Sequence, residues 1–409
     1  MSELMFIAKR TDGLGERLRA ILNAFALSEL YGARFGFYWD DDKFNKEGHA
    51  IDSIEKVFSS NFIDAYHIDQ DVAESAKPLH KVLFSGSGVF YCDQVVEEAV
   101  FESEPHRYGD FKAKLSESFW KIGFSESIEL AINAAMRVKL PESCVAIHLR
   151  AGDVIYGGLR SNISSISKAI SYPSVENLVN GFLEERGNVL LAGQDLAVIS
   201  LLSQQAQVTS IERLHPESFG RVESAIFDAI VMSRAESVYA GSSGFAVLSS
   251  IVGGIPLLNP ERIVDQAEVC DLVVRSVTST EISPDVPKEQ VGFACKKALV
   301  LGFLVLERKD FDLLCDKGLS ADPDNVVFPY MRVWRDFRDG RVTEADKGAE
   351  RILADHESLV SFLKSNSRTR WQRRFFAKTF GLKSDWRQDF EGGSPFSDLL
   401  ELTYRLMRI

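Results

Sequence analysis

Short apolar runs alternate through the middle of the chain with longer stretches in which apolar residues return every three or four positions. The runs are Cys144–Leu149, Asn188–Ala192, Val208–Ile211, Ser237–Ala240 and Ile255–Leu258. Helical spacing lies between them, over Ser174–Arg186, Leu196–Gln205, Val222–Ser233 and Phe245–Val252. Brief runs bounded by turn residues read as strands, and a 3.6-residue period reads as amphipathic helix. Regular alternation of the two predicts a parallel, doubly wound sheet. A second such unit opens the chain. Leu4–Ala8 reads as a strand, Arg17–Tyr31 as a helix with Leu18, Ile21, Leu22, Phe25, Ala26 and Leu30 on its apolar face, and Arg34–Trp39 as another strand. Helical spacing returns over Phe111–Lys139 and stops at Pro141. The expectation is an α/β protein with two Rossmann-like domains facing a cleft, residues 1–141 and 142–285, followed by a helical region over 286–409.

Polar residues gather where the expected strands end, which is where ligands bind in open α/β sheets. The strand Cys144–Leu149 carries His148 and runs into Arg150, Gly152 and Asp153. Arg150 can make a permanently charged, two-pronged contact to a phosphate, with His148 on the same strand face. The plainer alternative is a solvated Arg-Asp pair at a strand end. Leu190–Asp195 delivers Gln194 and Asp195 to the sheet edge, where they can read a purine or a ribose, or where Asp195 simply caps the next helix. After Ser237–Ala240 the chain breaks into Ser242 and Ser243 and opens a helix, whose free N–H groups and positive dipole end suit an anion. An ordinary helix cap is the alternative there. Gly13 and Gly15 follow the first strand as Gly-x-Gly, short of the full dinucleotide fingerprint. Asp228 sits on a mostly apolar helix and needs a partner or a place at the rim. Asp40-Asp41-Asp42 reads as a solvated loop, and the histidines, His215 among them, have no metal-ligand spacing.

Three of these patches carry a family resemblance. Gly13-Leu-Gly-Glu-Arg17 with its following helix, His148-x-Arg150-x-Gly-Asp153, and Asp228 followed by Ser242-Ser243-x-Phe245 resemble the bacterial branch of the GDP-fucose-type fucosyltransferases, the group that includes the nodulation α-1,6-fucosyltransferases. The match runs in order through about the first 265 residues and is dense only in those patches. The resemblance implies a GT-B-like pair of domains, the first on the acceptor side and the second on the donor side. It implies an inverting transfer from a nucleotide sugar, with GDP-fucose favoured, to a glycan acceptor, without a metal or other cofactor. Arg150 then binds the pyrophosphate. Gly13, Gly15, Arg17, His148, Asp228, Ser242, Ser243 and Phe245 line the donor site, joined by Gln194 and Asp195 from the sheet-edge reading. Arg150, Asp153 and Asp12 are the catalytic candidates, the two carboxylates as general bases with Glu16 behind them. Ala151 stands where many members carry a second basic residue. That departure favours an alternative in which the same fold uses another nucleotide sugar, as in capsule or O-antigen synthesis. An alternative of a different class is a non-catalytic nucleotide-binding scaffold.

Charge and composition narrow the partners. The chain has 409 residues and a formal net charge of -12, which argues against nucleic acid as a general partner because a phosphate backbone selects a basic surface. Five cysteines without CxxC spacing give neither a zinc motif nor a disulfide framework, and read mostly as buried small hydrophobes. The longest apolar run, Ala298–Leu306, is far short of the ~20 residues that span a bilayer. With no basic-then-apolar leader before the first strand, a cytoplasmic protein is expected.

Beyond about Gln290 the pattern is wholly helical. Gly292–Leu301, a stretch through Pro329–Trp334 introduced by Asp322-Pro-Asp-Asn325, and a stretch from Gly340 to about Ala354 resemble tetratricopeptide-type helical pairs, of which too few are visible for a free-standing array. Arg368–Phe380 is basic and aromatic in an otherwise acidic chain. It suits peripheral contact with an anionic membrane, as an enzyme with a lipid-linked acceptor would use. Alternatively, its aromatics are buried and its arginines pair with the acidic body.

Overall fold

The structure, a computed structural model, describes residues 4–40, 51–79, 87–185, 187–278, 285–382 and 394–407. Asp41 and Asp42 of the acidic triplet lie outside the described residues. The chain opens with β1 (Leu4–Lys9), α1 (Leu14–Tyr31) and β2 (Arg34–Tyr38). Three short helices follow, α2 (Ile54–Val57), α3 (Ser60–Tyr66) and α4 (Gln70–Ser75), then β3 (Lys77–Pro78), β4 (Gly88–Cys92), α5 (His106–Phe119) and α6 (Glu126–Arg137). These strands form a parallel sheet in the order β2-β1-β4-β3.

The next strands and helices are β5 (Cys144–Leu149), α7 (Gly152–Ile155), α8 (Tyr172–Glu184), β6 (Asn188–Gly193), α9 (Leu196–Leu202), β7 (Val208–Ser210), α10 (Arg221–Met232), β8 (Val238–Ala240), α11 (Gly244–Gly253) and β9 (Leu257–Leu258). Their strands lie in the order β7-β6-β5-β8-β9. Counted along the chain this is 3-2-1-4-5, the doubly wound order of a Rossmann-type sheet. The remaining elements are helical: α12 (Pro260–Ile263), α13 (Gln266–Thr278), α14 (Lys288–Gly302), α15 (Arg308–Ala321), α16 (Val327–Arg338), α17 (Val342–Ala354), α18 (His356–Ser365), α19 (Arg370–Phe380) and α20 (Pro395–Met407). The mixed α/β architecture with a helical C-terminal part is as the hydrophobic pattern indicated.

Contacts group the chain into two compact units. Met1–His148, Gly187–Ala192 and Ala206–Leu258 make one, and Leu149–Arg186, Gly193–Gln205 and Asn259–Ile409 the other. In the first unit one continuous apolar cluster runs through both sheets, from Phe6, Leu18 and Phe37 to Ala146, Ile230 and Val238. In the second, a cluster built mainly from α13–α20 also takes in Ile163 and Ile166, which follow α7. The five cysteines are free and buried.

Two boundaries differ from the sequence reading, each for a local reason. The first helix begins at Leu14 rather than Arg17, so Gly15 and Glu16 lie in its first turn. The pattern over Phe111–Lys139 is two helices, broken at Trp120–Ser125. A Cβ at Gly123 would stand 2.8 Å from Phe62, and Phe124 bridges to Phe58, so the chain leaves the helix there to pack against α3. Gly193 closes β6 at φ 129°, and its amide neighbour Gln194 donates to the Leu149 carbonyl at 2.9 Å. A Cβ at Gly193 would overlap that carbonyl. Gly193→Ala therefore combines backbone strain with overpacking and should lower unfolding stability by about 2–4 kcal/mol, measured by urea denaturation.

Candidate functional site

In a 3-2-1-4-5 sheet the connections turn to opposite sides between the first and fourth strands, and that switch point opens a crevice at their carboxyl ends. Here those strands are β5 and β8, and the register sets His148 opposite Ala240. His148 is buried, with its ring 5.9 Å from Phe245. Past Ala240 the chain passes exposed Ser242 and buried Ser243 and enters α11. Ser243 is the N-cap residue, yet its side chain makes no capping hydrogen bond. The first-turn N–H groups are thus not met by their own cap, which is the condition for receiving an anion.

A second helix start lies against the first. Gly13 caps α1 without a side-chain bond, and a Cβ on Gly15 would come within 3.1 Å of the Phe245 backbone. A Cβ on Gly244 would collide with the Glu16 carboxylate, which in turn pairs with Arg19 at 2.7 Å. Gly13, Gly15, Ser242, Ser243, Phe245 and His148 are therefore brought together. The switch point of the other sheet, between β1 and β4, is bridged by an ion pair: Arg10 binds Asp93 at 2.8 Å and also binds Asp12.

Arg17, expected at a donor, is placed differently. It is 2% exposed and donates to the carbonyls of Asp12, Thr11 and Asp40, with its guanidinium 4.6 Å from the Trp39 ring. It holds the loop that carries Asp12 and Gly13. Asp228 lies on α10, where His215 bonds it at 2.5 Å. Burial raises the Asp228 carboxyl above the ordinary range, and His215 opposes that shift. No spacing in the sequence links His215 to a carboxylate thirteen residues away.

The second unit holds the other candidates. Arg150 pairs with Asp153 at 3.0 Å, and its buried Nε has no hydrogen-bond partner among the described residues. Gly152 adopts φ 28°, and a Cβ there would press on Gln194, whose side chain is exposed. Asp195 is 2% exposed and caps α9 by accepting from the Val198 amide. It also accepts from the Tyr156 hydroxyl at 3.0 Å and from Gln290 of α14. Burial first, then Asp195, raises the Tyr156 phenol. Ala151 is fully buried among Val154, Ile155, Ala169 and Phe293. The position where a second cation is expected by resemblance is thus an apolar contact with α14. Among the described residues no group of three or more His, Cys, Asp or Glu is arranged to hold a metal.

The segment after α7 is fixed by residues far away in sequence. Asn162 accepts from the Ser164 and Ser165 amides and donates to the Ser365 carbonyl at 2.7 Å. Asn366 accepts from the Ile163 amide at 2.9 Å. Lys296 of α14 donates to the carbonyls of Arg160 at 2.7 Å and Asn162 at 3.3 Å. Gln290, Lys296 and Asn366 are separated from their partners by long stretches of chain and carry no motif, so only folding reveals them.

No protein-family model matches the chain, and no curated protein does. Among solved structures, the chain is similar to the NodZ α-1,6-fucosyltransferase soaked with GDP-fucose, at 12% identity and a TM-score of 0.35, covering 63% of this chain and 95% of that one. NodZ from Bradyrhizobium gives 12% and 0.34 over 63% and 96%. POFUT1 in complex with GDP-fucose gives 11% and 0.35 over 63% and 98%.

The buried Lys296 makes a stability prediction. Burial pushes its ammonium down to about 7, aided by Lys297 and opposed by Asp322. Its carbonyl partners favour the charged form, but burial prevails. Between about pH 7 and the usual lysine value near 10.4 the unfolded chain holds a proton that the native state has released, so stability rises with pH there. Lys296→Met lacks this term. Denaturation from pH 7 to 9 should show the unsubstituted chain gaining on the variant, by at most about 1.4 kcal/mol per pH unit.

Proposed function

We propose that the chain is a glycosyltransferase that moves a sugar from a nucleoside diphosphate to a glycan acceptor. One observation carries this reading: the β5–β8 switch point combines an α11 start whose serine cap leaves the first-turn N–H groups unmet with His148 opposite Ala240. A helix start at that edge suits a diphosphate. Arg150, two residues beyond His148 along the chain, is assigned the matching cation, and His148 orients the phosphate or sugar. The resemblance in sequence favours GDP-fucose and an inverting reaction that needs no metal.

As the glycosidic C–O bond breaks, its electron pair passes to the diphosphate oxygen. The α11 N–H groups stabilise that charge, a role that the resemblance in sequence also gives to Arg150. The acceptor hydroxyl attacks the anomeric carbon from the opposite face, and its proton passes to a carboxylate. Asp153 is bound by Arg150 and Asp12 by Arg10, so each is released only when its arginine turns elsewhere. Transfer of Arg150 from Asp153 to the donor diphosphate frees Asp153 to take the proton. Donor binding and the appearance of the base are then a single event.

The buried Ala151 supports a second reading in which the same machinery uses a different nucleotide sugar, because no second cation reaches the diphosphate from that position. A thermal-shift series with GDP, UDP, CDP, ADP and CMP separates the two. A nucleotide at a hundredfold excess over its Kd should stabilise the chain by about 2.7 kcal/mol, and Arg150→Ala should abolish that gain. GDP selectivity favours the first reading, and another nucleotide favours the second. No shift with any of them removes the donor site.

A further inference from the structure

We propose that the outward face of α19 docks on an anionic lipid surface. This stands apart from the donor reading and does not depend on it. The helix has two unlike faces. Phe376 and Phe380 are buried in the helical core, with ring centroids 5.8 Å from Tyr330 to Phe376 and 5.2 Å from Phe303 to Phe380. The aromatic part of the stretch is therefore largely committed to packing. Arg370, Arg374 and Lys378 recur at intervals of four residues and are exposed, with Arg368 exposed just ahead. Beside them Trp371 is 56% exposed, its ring 5.5 Å from Phe375.

Charge placement points outward. Asn366–Gly381 contains five basic residues and no Asp or Glu, in a chain whose net charge is -12. Among the described residues, none of Arg368, Arg370, Arg374 and Lys378 has an ion-pair partner, while Arg373 donates to the Ser367 carbonyl at 2.8 Å. Three of the arginines, Arg370, Arg373 and Arg374, stand at the helix N-terminal end, where the dipole disfavours cations. The start is instead held by a capping box between Thr369 and Gln372. The arginines at that end thus work against the helix that carries them while Lys378 in its last turn works with it, and an external anion accounts for the arginines.

An exposed tryptophan amid cations suits the headgroup layer, where the indole ring lies among lipid headgroups and the cations meet anionic ones. The acidic remainder of the chain is repelled by the same surface, which fixes which side approaches. No helix among the described residues is long and apolar enough to cross a membrane, so this contact is peripheral. Acidic residues return in sequence at Asp385, Asp389 and Glu391, outside the described residues.

The test is co-sedimentation of the full chain with vesicles of phosphatidylcholine alone and of phosphatidylcholine with one-third phosphatidylglycerol. Binding is expected only to the anionic vesicles, weakening as salt is raised. Each cation near such a surface changes partition by about fivefold, so Arg370→Gln/Arg374→Gln/Lys378→Gln should weaken it by about a hundredfold at an unchanged melting temperature. Trp371→Ala should weaken binding while leaving its salt dependence intact. The proposal is overturned if the unsubstituted chain ignores anionic vesicles, as it would were Asp385, Asp389 and Glu391 to neutralise the face. It is equally overturned if the triple variant, folded, binds as well. Binding to a single-stranded oligonucleotide but not to vesicles would also reject a lipid partner, in favour of a nucleic acid.

Discussion

Two helix starts meet at glycine, and the candidate site exists because they do. Gly15 in the first turn of α1 abuts the backbone of Phe245, and Gly244 at the start of α11 abuts Glu16. A Cβ at Gly15 would press on the Phe245 backbone at 3.1 Å, and one at Gly244 would displace the Glu16 carboxylate. Because α1 follows β1 and α11 follows β8, this contact ties the carboxyl edge of one sheet to that of the other. Two positive helix ends lie together, and the carboxylate of Glu16 sits against one of them, a favourable place for negative charge. The same physics that seats Glu16 there suits a phosphate.

Much of this could be read in the sequence, and the reasons are local. β5 and β8 are apolar runs that end abruptly in polar residues, and α1 and α11 have clear periods, so the elements carrying His148, Arg150, Ser242 and Ser243 were evident. A glycine in a helix start has two local explanations, a turn or a close approach. Gly15, part of a Gly-x-Gly in the sequence, is a close approach to the Phe245 backbone in the fold. The family resemblance puts Arg17 at the donor site. In the folded chain it is buried and bound to three loop carbonyls, a role that only the position of Asp40 reveals. What was illegible depends on long separations: Gln290 on Asp195, Phe293 on Ala151, Lys296 on Arg160, Asn366 on Ile163.

Those separations change the meaning of the C-terminal helices. They contribute packing and hydrogen bonds to the segment that contains Arg150, Asp153 and Tyr156, and they belong to the same compact unit. Buried lysines recur in this arrangement. Lys296 and Lys297 donate to backbone carbonyls, and Lys297 also meets the buried Glu261. Each is placed against a loop carbonyl, so desolvation of the amine is exchanged for a fixed loop.

The central claim is that the helix start at the β5–β8 switch point, beside His148, receives a nucleoside diphosphate. Hydrogen–deuterium exchange with and without saturating GDP tests it most directly, because it reports where the ligand acts without assuming a reaction. Slowed exchange over residues 241–247 and at His148 is the result this account predicts. Protection confined to other segments, at a GDP concentration that demonstrably stabilises the chain, would contradict it.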